Sequence, residues 1–251
     1  MNVRIEPADP DPGWADTAWA AHRGDVRPAG LQLDSATGQF ELRLFGRGAD
    51  REAGAALLAL LTGRPGQLSS VVPLDMRGVC ELLEEAGFVT EGEVWQMVRP
   101  VAGEPEPAWP AGVTVRTYDD PRDAAAVHAL LVRAFTGNTE VVADFEPWHA
   151  RMTGDPEYDP GWWWLAEREG RLVGVALCWT SGWLKDLAVD PDARGQGIGE
   201  ALCRHAFHEM DARGIATCGL KVDARNPTGA VRLYRRVGMQ VERRYRLYVR
   251  P

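Results

Sequence analysis

Apolar and polar positions alternate with two different periods along the chain. Between Pro121 and Ala134, Ala126, Val127, Leu130 and Leu131 recur at helical spacing, and proline stands at the helix start. A second helix is predicted over 142–152. Trp162–Glu167 and Arg171–Trp179 flank Arg168-Glu169-Gly170, which predicts a hairpin. Trp183–Val189 reads as the next strand, stopped by Asp190-Pro191. Ala201, Leu202, Ala206 and Met210 predict a helix from about Gly199 to Arg213, with Gly214 as its cap. Thr217–Val222 reads as a strand, Asn226-Pro227 opens a last helix to Val237, and two strands finish the chain. With a strand at Val113–Thr117 in front, the order is β-α-α-β-β-β-α-β-α-β-β. That is the α/β class, a mixed central sheet flanked by helices.

The same endings occur twice. Residues 82–88 read Leu-Leu-Glu-Glu-Ala-Gly-Phe and residues 233–239 read Leu-Tyr-Arg-Arg-Val-Gly-Met. At the same offset, Val98-Arg99-Pro100 pairs with Val249-Arg250-Pro251, since 249 − 98 = 151. Each version predicts a helix closed by glycine (Gly87, Gly238) and followed by two strands. One such ending is common, but two at a fixed offset indicate an internal repeat. Between the repeats, residues 99–110 are proline-rich and lack apolar periodicity, as an extended linker does. The expected domains are therefore 1–100 and 111–251.

Composition narrows the function classes. The 251 residues carry a formal net charge of −8, which argues against nucleic-acid binding and mildly favours a cationic partner. No apolar run reaches a membrane span, and the N-terminus lacks the apolar core of a signal peptide, so a cytoplasmic protein is expected. Cys80, Cys178, Cys203 and Cys218 have no metal-ligand spacing; free, mostly buried thiols and no metal are expected. Ten tryptophans are unusual, and alternation sends Trp163 to one sheet face and Trp162 and Trp164 to the other.

The chemistry concentrates in Arg194-Gly195-Gln196-Gly197-Ile198-Gly199, between a strand and a helix. Glycines let the backbone approach a ligand, and the unpaired N–H groups of a first helical turn attract phosphate. Arg194 adds positive charge near the mouth. The dinucleotide fingerprint Gly-x-Gly-x-x-Gly and the closing Gly-Lys-Ser/Thr of a nucleotide-triphosphate loop are both absent. Leu187 to Leu202 instead resembles the central motif of the GNAT acyltransferase superfamily, Arg/Gln-x-x-Gly-x-Gly/Ala after a strand ending in Val. Asn226 to Met239 is similar to that family's Asn-x-x-Ala-x-x-Leu-Tyr-x-x-x-Gly-Phe, with the alanine one place late and Met239 for Phe. The resemblance covers residues 112–251.

The resemblance implies a GNAT fold and an acetyl-CoA co-substrate. Backbone N–H groups of Gln196, Gly197, Ile198, Gly199 and Glu200 would hold the pyrophosphate, with Arg194 and Gly195 in the same loop. Leu187, Ala188 and Val189 would pair with the pantetheine arm as an added strand. The Val189 N–H would polarise the thioester carbonyl. Asn226 would touch the CoA arm or order its turn. Tyr234 would protonate the departing thiolate, for which a group titrating near 10 is a competent donor at neutral pH. Asp186 is the nearest acid and the candidate general base, on the face opposite Lys185 and Leu187. Some family members carry an acid where Lys185 stands, and many deprotonate the amine through water. Glu146 and His149 border the region where the family binds its acceptor, and His205 and His208 read as structural.

The repeat implies a second, smaller GNAT-like unit in residues 1–100, with Phe40–Phe45 as its motif strand and Gly54–Leu61 as its helix. Its loop, Gly46 to Gly54, lacks the Gly-x-Gly pattern and places Asp50 and Glu52 where phosphate would sit. Leu83 stands where Tyr234 stands, since 234 − 151 = 83. This half is expected to be degenerate and to bind no acetyl-CoA. A tandem arrangement with one active half resembles mycothiol synthase and its relatives. The implied function is acetyl transfer to a primary amine of a small molecule through a ternary complex, by a monomer or homodimer. A non-catalytic acyl-CoA-binding regulatory module would keep the loop and lose the proton donor, so Tyr234 favours the enzyme. A protein or peptide amine is a third acceptor class, against which a cleft narrowed by the partner half argues.

Overall fold

The computed structural model describes residues 3–10, 15–35, 38–45, 50–137 and 142–250. The chain forms two compact units, Met1–Val94 with Arg243–Pro251, and Trp95–Glu242. Part of the Gly46–Gly54 loop, the first two residues and Pro251 lie outside the described residues.

In the first unit, β1 (Arg4–Ala8), β2 (Thr17–Arg23), β3 (Val26–Leu33) and β4 (Phe40–Leu44) form an antiparallel sheet in chain order. Then come α1 (Arg51–Ala59), β5 (Leu68–Pro73), α2 (Arg77–Glu85) and the start of β6 (Val89–Pro100). Leu31, Leu33, Leu57, Leu61, Leu83 and Tyr248 fill its core. Tyr248 comes from the chain's last strand, whose residues Tyr245–Arg250 pair antiparallel with β5.

In the second unit, β7 (Val113–Thr117) leads to α3 (Ala124–Phe135) and α4 (Phe145–Thr153). These precede β8 (Trp163–Arg168), β9 (Arg171–Cys178) and β10 (Leu184–Val189), which pair in the order β7-β8-β9-β10. The chain continues through α5 (Ile198–Ala212), β11 (Thr217–Asp223), α6 (Ala230–Arg236) and β12 (Gln240–Arg250). β11 is hydrogen-bonded to β6. The element order matches the first unit except for α3 and α4. Between β1 and β2 lie 17 − 8 − 1 = 8 residues; between β7 and β8 lie 163 − 117 − 1 = 45. The missing helix pair accounts for the shorter first half.

The 151-residue offset reaches individual hydrogen bonds. Phe88 N–H donates to Leu83 O at 3.0 Å, and Met239 N–H to Tyr234 O at 2.9 Å. Gly87 and Gly238, at φ 82° and 89°, close the two helices in the left-handed conformation that glycine adopts without strain. The repeats also exchange strand ends. Arg99, in the second unit, donates to the Val237 carbonyl at 2.6 Å, and Arg250, in the first, donates to the Ala86 carbonyl at 3.2 Å. Both pairs obey the same offset, since 250 − 99 = 151 and 237 − 86 = 151.

The fold has the expected class and order, with local differences. The two strands predicted after each glycine are one long strand, β6 or β12, because each runs from one unit into the other. The last helix starts at Ala230 rather than Asn226, since the Asn226 side chain accepts from the Thr228 N–H at 2.9 Å and folds a turn first. Helix α4 starts at Phe145, three residues later than expected from 142. The proline-rich segment lies along α5. Glu104 N–H donates to Asp211 at 3.0 Å, His208 Nδ1 bonds the Glu104 carbonyl at 2.8 Å, and the Trp109 ring meets His205 at 5.7 Å.

Candidate active site

The site starts from an edge strand. β10 pairs with β9 on one side through the register Asp186–Leu177, Leu187–Ala176, Ala188–Val175 and Val189–Gly174, with an irregularity at Lys185. On its other side, the strand pairing with β11 is, among the described residues, an isolated parallel bridge from Trp183 to Gly219. β10 and β11 therefore part beyond Trp183. Leu187, Ala188 and Val189 present an edge able to accept an extended ligand as a further strand.

The loop after β10 rises to the N-terminus of α5. Gly195 and Gly197 have φ 75° and 83°, a backbone that side-chain-bearing residues rarely adopt. Gly197 is the N-cap of α5, and no side chain caps the helix. The first-turn N–H groups have no intrahelical acceptors and sit at the positive end of the helix dipole. A Cβ at Gly195 would meet nothing within 4 Å. Close packing brings this turn onto the sheet and α6. A Cβ at Gly174 would come within 2.8 Å of Leu202, and one at Gly199 within 3.1 Å of Leu233 and 3.5 Å of Val189. Tyr234, buried and next to Leu233, thus follows the residue that packs on the loop. Glu200 of α5 lies 3.6 Å from Arg236 of α6. Ile198 is buried and anchors the turn.

Charge is arranged differently from the sequence expectation. The Arg194 guanidinium donates to the Ala134 carbonyl at 2.8 Å and the Val189 carbonyl at 3.4 Å, tying α3 to the end of β10. The guanidinium that touches a side chain of the loop is that of Arg168, which donates to the Gln196 side-chain Oε1. Its Nε is buried with no partner among the described residues. Sequence spacing gives no link between positions 168 and 196; only the β8–β9 turn creates it. Asp190, below the loop, is held under the usual carboxylate range by Arg133 at 2.9 Å.

Other predicted residues separate. Asp186 is 7% exposed, beside its own neighbour Lys185 at 3.3 Å. Asn226 turns its oxygen onto Thr228. Glu146 is exposed. His149 Nε2 lies 3.0 Å from Asp120, which also accepts from the Tyr118 hydroxyl at 2.9 Å. His205 is wedged between Trp109 and Trp164, and burial depresses its basicity. Cys80, Cys178, Cys203 and Cys218 are free and buried. Among the described residues, no cluster of His, Cys, Asp or Glu is placed to hold a metal, and no helix is long and apolar enough to cross a membrane.

Residues 124–239 match the model of the acetyltransferase (GNAT) family. The chain carries a GNAT-family domain. It is 35% identical over 202 residues to a mycothiol acetyltransferase of Streptomyces avermitilis, covering 77% of this chain and 64% of that protein. A mycothiol acetyltransferase of Thermobispora bispora is 34% identical over 181 residues, 65% of this chain and 59% of the relative. The chain thus spans less than two thirds of the length of these relatives. A GCN5-related N-acetyltransferase from Sphaerobacter thermophilus superposes with a TM-score of 0.78 at 26% identity, covering 93% of this chain and 80% of that one. A tandem GNAT protein from the clavulanic acid biosynthesis pathway gives 0.70 at 15% identity, covering 96% and 84%, and shows likeness of fold alone.

Proposed function

We propose that the GNAT domain is an acetyl-CoA-dependent N-acetyltransferase acting on a primary amine of a small molecule, through a ternary complex of donor, acceptor and protein. The observation that carries this reading is the start of α5. Two left-handed glycines lead into a helix start that no side chain caps, a backbone that suits a pyrophosphate. The mycothiol acetyltransferases among its relatives support acetyl as the transferred group and a small acceptor.

Acetyl-CoA supplies the activated acetyl group. The N–H groups of Gln196 to Glu200 hold its phosphates, and Arg168 adds the cation that Arg194, engaged with two carbonyls, does not turn toward the loop. The free edge of Leu187–Val189 aligns the arm, and the Val189 N–H donates to the thioester oxygen. Tyr234 delivers a proton to the leaving thiol. Asp186, nearly buried on the face opposite Leu187, takes the amine proton directly or through water. The first unit, in this reading, holds no acetyl-CoA.

Thiol release from acetyl-CoA in the presence of amines tests the reading. Tyr234→Phe is expected to lower kcat by about 100-fold, within the range for a lost general acid, with the KM for acetyl-CoA little changed. An unchanged kcat and pH profile would remove Tyr234 from the chemistry.

A further inference from the structure

The proline-rich segment between the repeats is strapped to the helix that opens the donor site. Both backbone groups of Glu104 are held by α5. Its N–H donates to Asp211 at 3.0 Å, and its carbonyl bonds His208 Nδ1 at 2.8 Å. Asp211 and His208 are one helical turn apart and so share a face. Just before them in the segment, the Val101 N–H donates to the Ala216 carbonyl at 3.0 Å, and the Glu104 side chain pairs with Arg99. Further along, the Trp109 ring meets His205 at 5.7 Å. The contacts fall in the order Asp211, His208, His205, so the segment runs antiparallel to α5, toward its N-terminus.

The segment ends on the donor loop. A Cβ built on Gly197 would meet the Pro110 ring at 3.7 Å, whereas one on Gly195 would meet nothing within 4 Å. Pro110 is fixed in turn, because its carbonyl accepts from the Val113 N–H at 3.0 Å where β7 begins. The loop is therefore backed at Gly197 and open at Gly195. Its glycines give the backbone wide freedom, and no side chain caps the helix to hold the turn. Fixing such a backbone when a ligand binds costs conformational entropy. A wall that holds it beforehand removes part of that cost.

We infer that Pro110 is a positioning residue for donor binding, and that the segment behind it holds Gly197 in the conformation that receives the phosphates of acetyl-CoA. The inference rests on the acetyltransferase reading and deepens it. Proline suits the place, since its ring fixes its own φ and brings no N–H that needs an acceptor. Pro110 and Glu104 act through Gly197 and not on the donor itself. The far anchor, Asp211, lies 211 − 197 = 14 residues along α5, about 21 Å from the loop. Linkage makes the effect reciprocal. If an ordered segment strengthens donor binding, bound donor orders the segment by the same factor.

The test uses acetyl-CoA itself as the probe and needs no acceptor. In hydrogen exchange on the whole chain, saturating acetyl-CoA is expected to slow the amides of residues 101–109 by about fivefold. Pro110→Gly is expected to weaken acetyl-CoA binding by about fivefold in calorimetric titration well below the melting temperature. Asp211→Ala, remote from the loop, is expected to weaken it in the same direction by less. A segment with a merely structural role would lower the melting temperature of these variants and leave the affinity of the folded protein where it was. Unchanged affinity in either variant therefore overturns the inference. Exchange at 101–109 that ignores acetyl-CoA overturns it too, and that measurement needs no variant to fold. Failure of the unaltered protein to bind acetyl-CoA instead overturns the acetyltransferase reading beneath it.

Discussion

Helices α1 and α5 occupy the same place in the two repeats, each after the fourth strand of a sheet, and their N-termini are treated in opposite ways. At α1, Asp50 caps the helix by accepting from the Ala53 N–H at 3.0 Å, and Arg23 holds that carboxylate at 2.8 Å while also reaching Glu52. At α5, the cap is Gly197 and no side chain intervenes. The surrounding frames agree closely. β4 and β5 touch through an isolated parallel bridge, Gln39 to Ser69, as β10 and β11 touch through Trp183 and Gly219. In both units a glycine carbonyl accepts from the later strand, Ser69 N–H to Gly38 and Gly219 N–H to Gly182. The fold thus presents the same helix start twice. In the first unit the protein fills it with its own carboxylate. The difference between a stabilising cap and a proposed donor site lies in a few residues at one helix end.

The largest expected effect comes from copying the first unit into the second. Gly197→Asp puts a carboxylate at the α5 cap and is expected to weaken acetyl-CoA binding by at least about 100-fold, through repulsion and occupation of the same N–H groups. Aspartate tolerates the left-handed backbone better than most residues, so the fold should persist. Calorimetric titration with a melting control reads both. Retained affinity would separate the donor site from this helix end.

The inserted helix pair is the second point of contrast. Asp123, at the start of α3, is buried, which by itself pushes its carboxyl up. Arg116 at 2.9 Å, Arg122 and the Asp119 N–H outweigh that and hold it well below the usual carboxylate range. A depressed carboxyl contributes stability above its unfolded value, near 3.9, and loses it as pH falls through the folded value. Arg116→Gln is expected to cost about 2 kcal/mol at neutral pH, since the arginine is partly in water, and to move acid unfolding to higher pH. Urea titrations across pH check both. No change would detach this pair from the anchoring of α3.

A smaller effect is expected in the first unit. Asp50→Ala removes the cap and the Arg23 contact and is expected to lower stability by about 1 kcal/mol. Acetyl-CoA affinity should not move. A change in that affinity would mean that the first unit takes part in donor binding.

Much of this contrast was readable before folding was considered. The Gly-x-Gly spacing marks a backbone able to approach a ligand, and Asp50 and Glu52 stand in the matching loop of the first repeat, although the helix there begins at Arg51 rather than Gly54. The 151-residue offset marks the two glycine-closed helices, and the matching bonds at Phe88 and Met239 follow from that shared ending. Other features carried no local signal. An alternating strand looks the same whichever sheet it joins, so the exchange of strand ends through Arg99 and Arg250 could not be read from β6 or β12 alone. The direction of Arg194 depends on the Ala134 carbonyl, sixty residues away in sequence. Asp120, Tyr118 and His149 meet only because α4 returns to the turn that follows β7, and periodicity does not fix where a helix returns.

The most direct test of the central contrast is the stoichiometry of acetyl-CoA binding to the whole chain by isothermal titration calorimetry. One equivalent per chain, lost in Gly197→Asp and kept in Asp50→Ala, is the predicted result. Two equivalents, or one equivalent that survives Gly197→Asp, would contradict it.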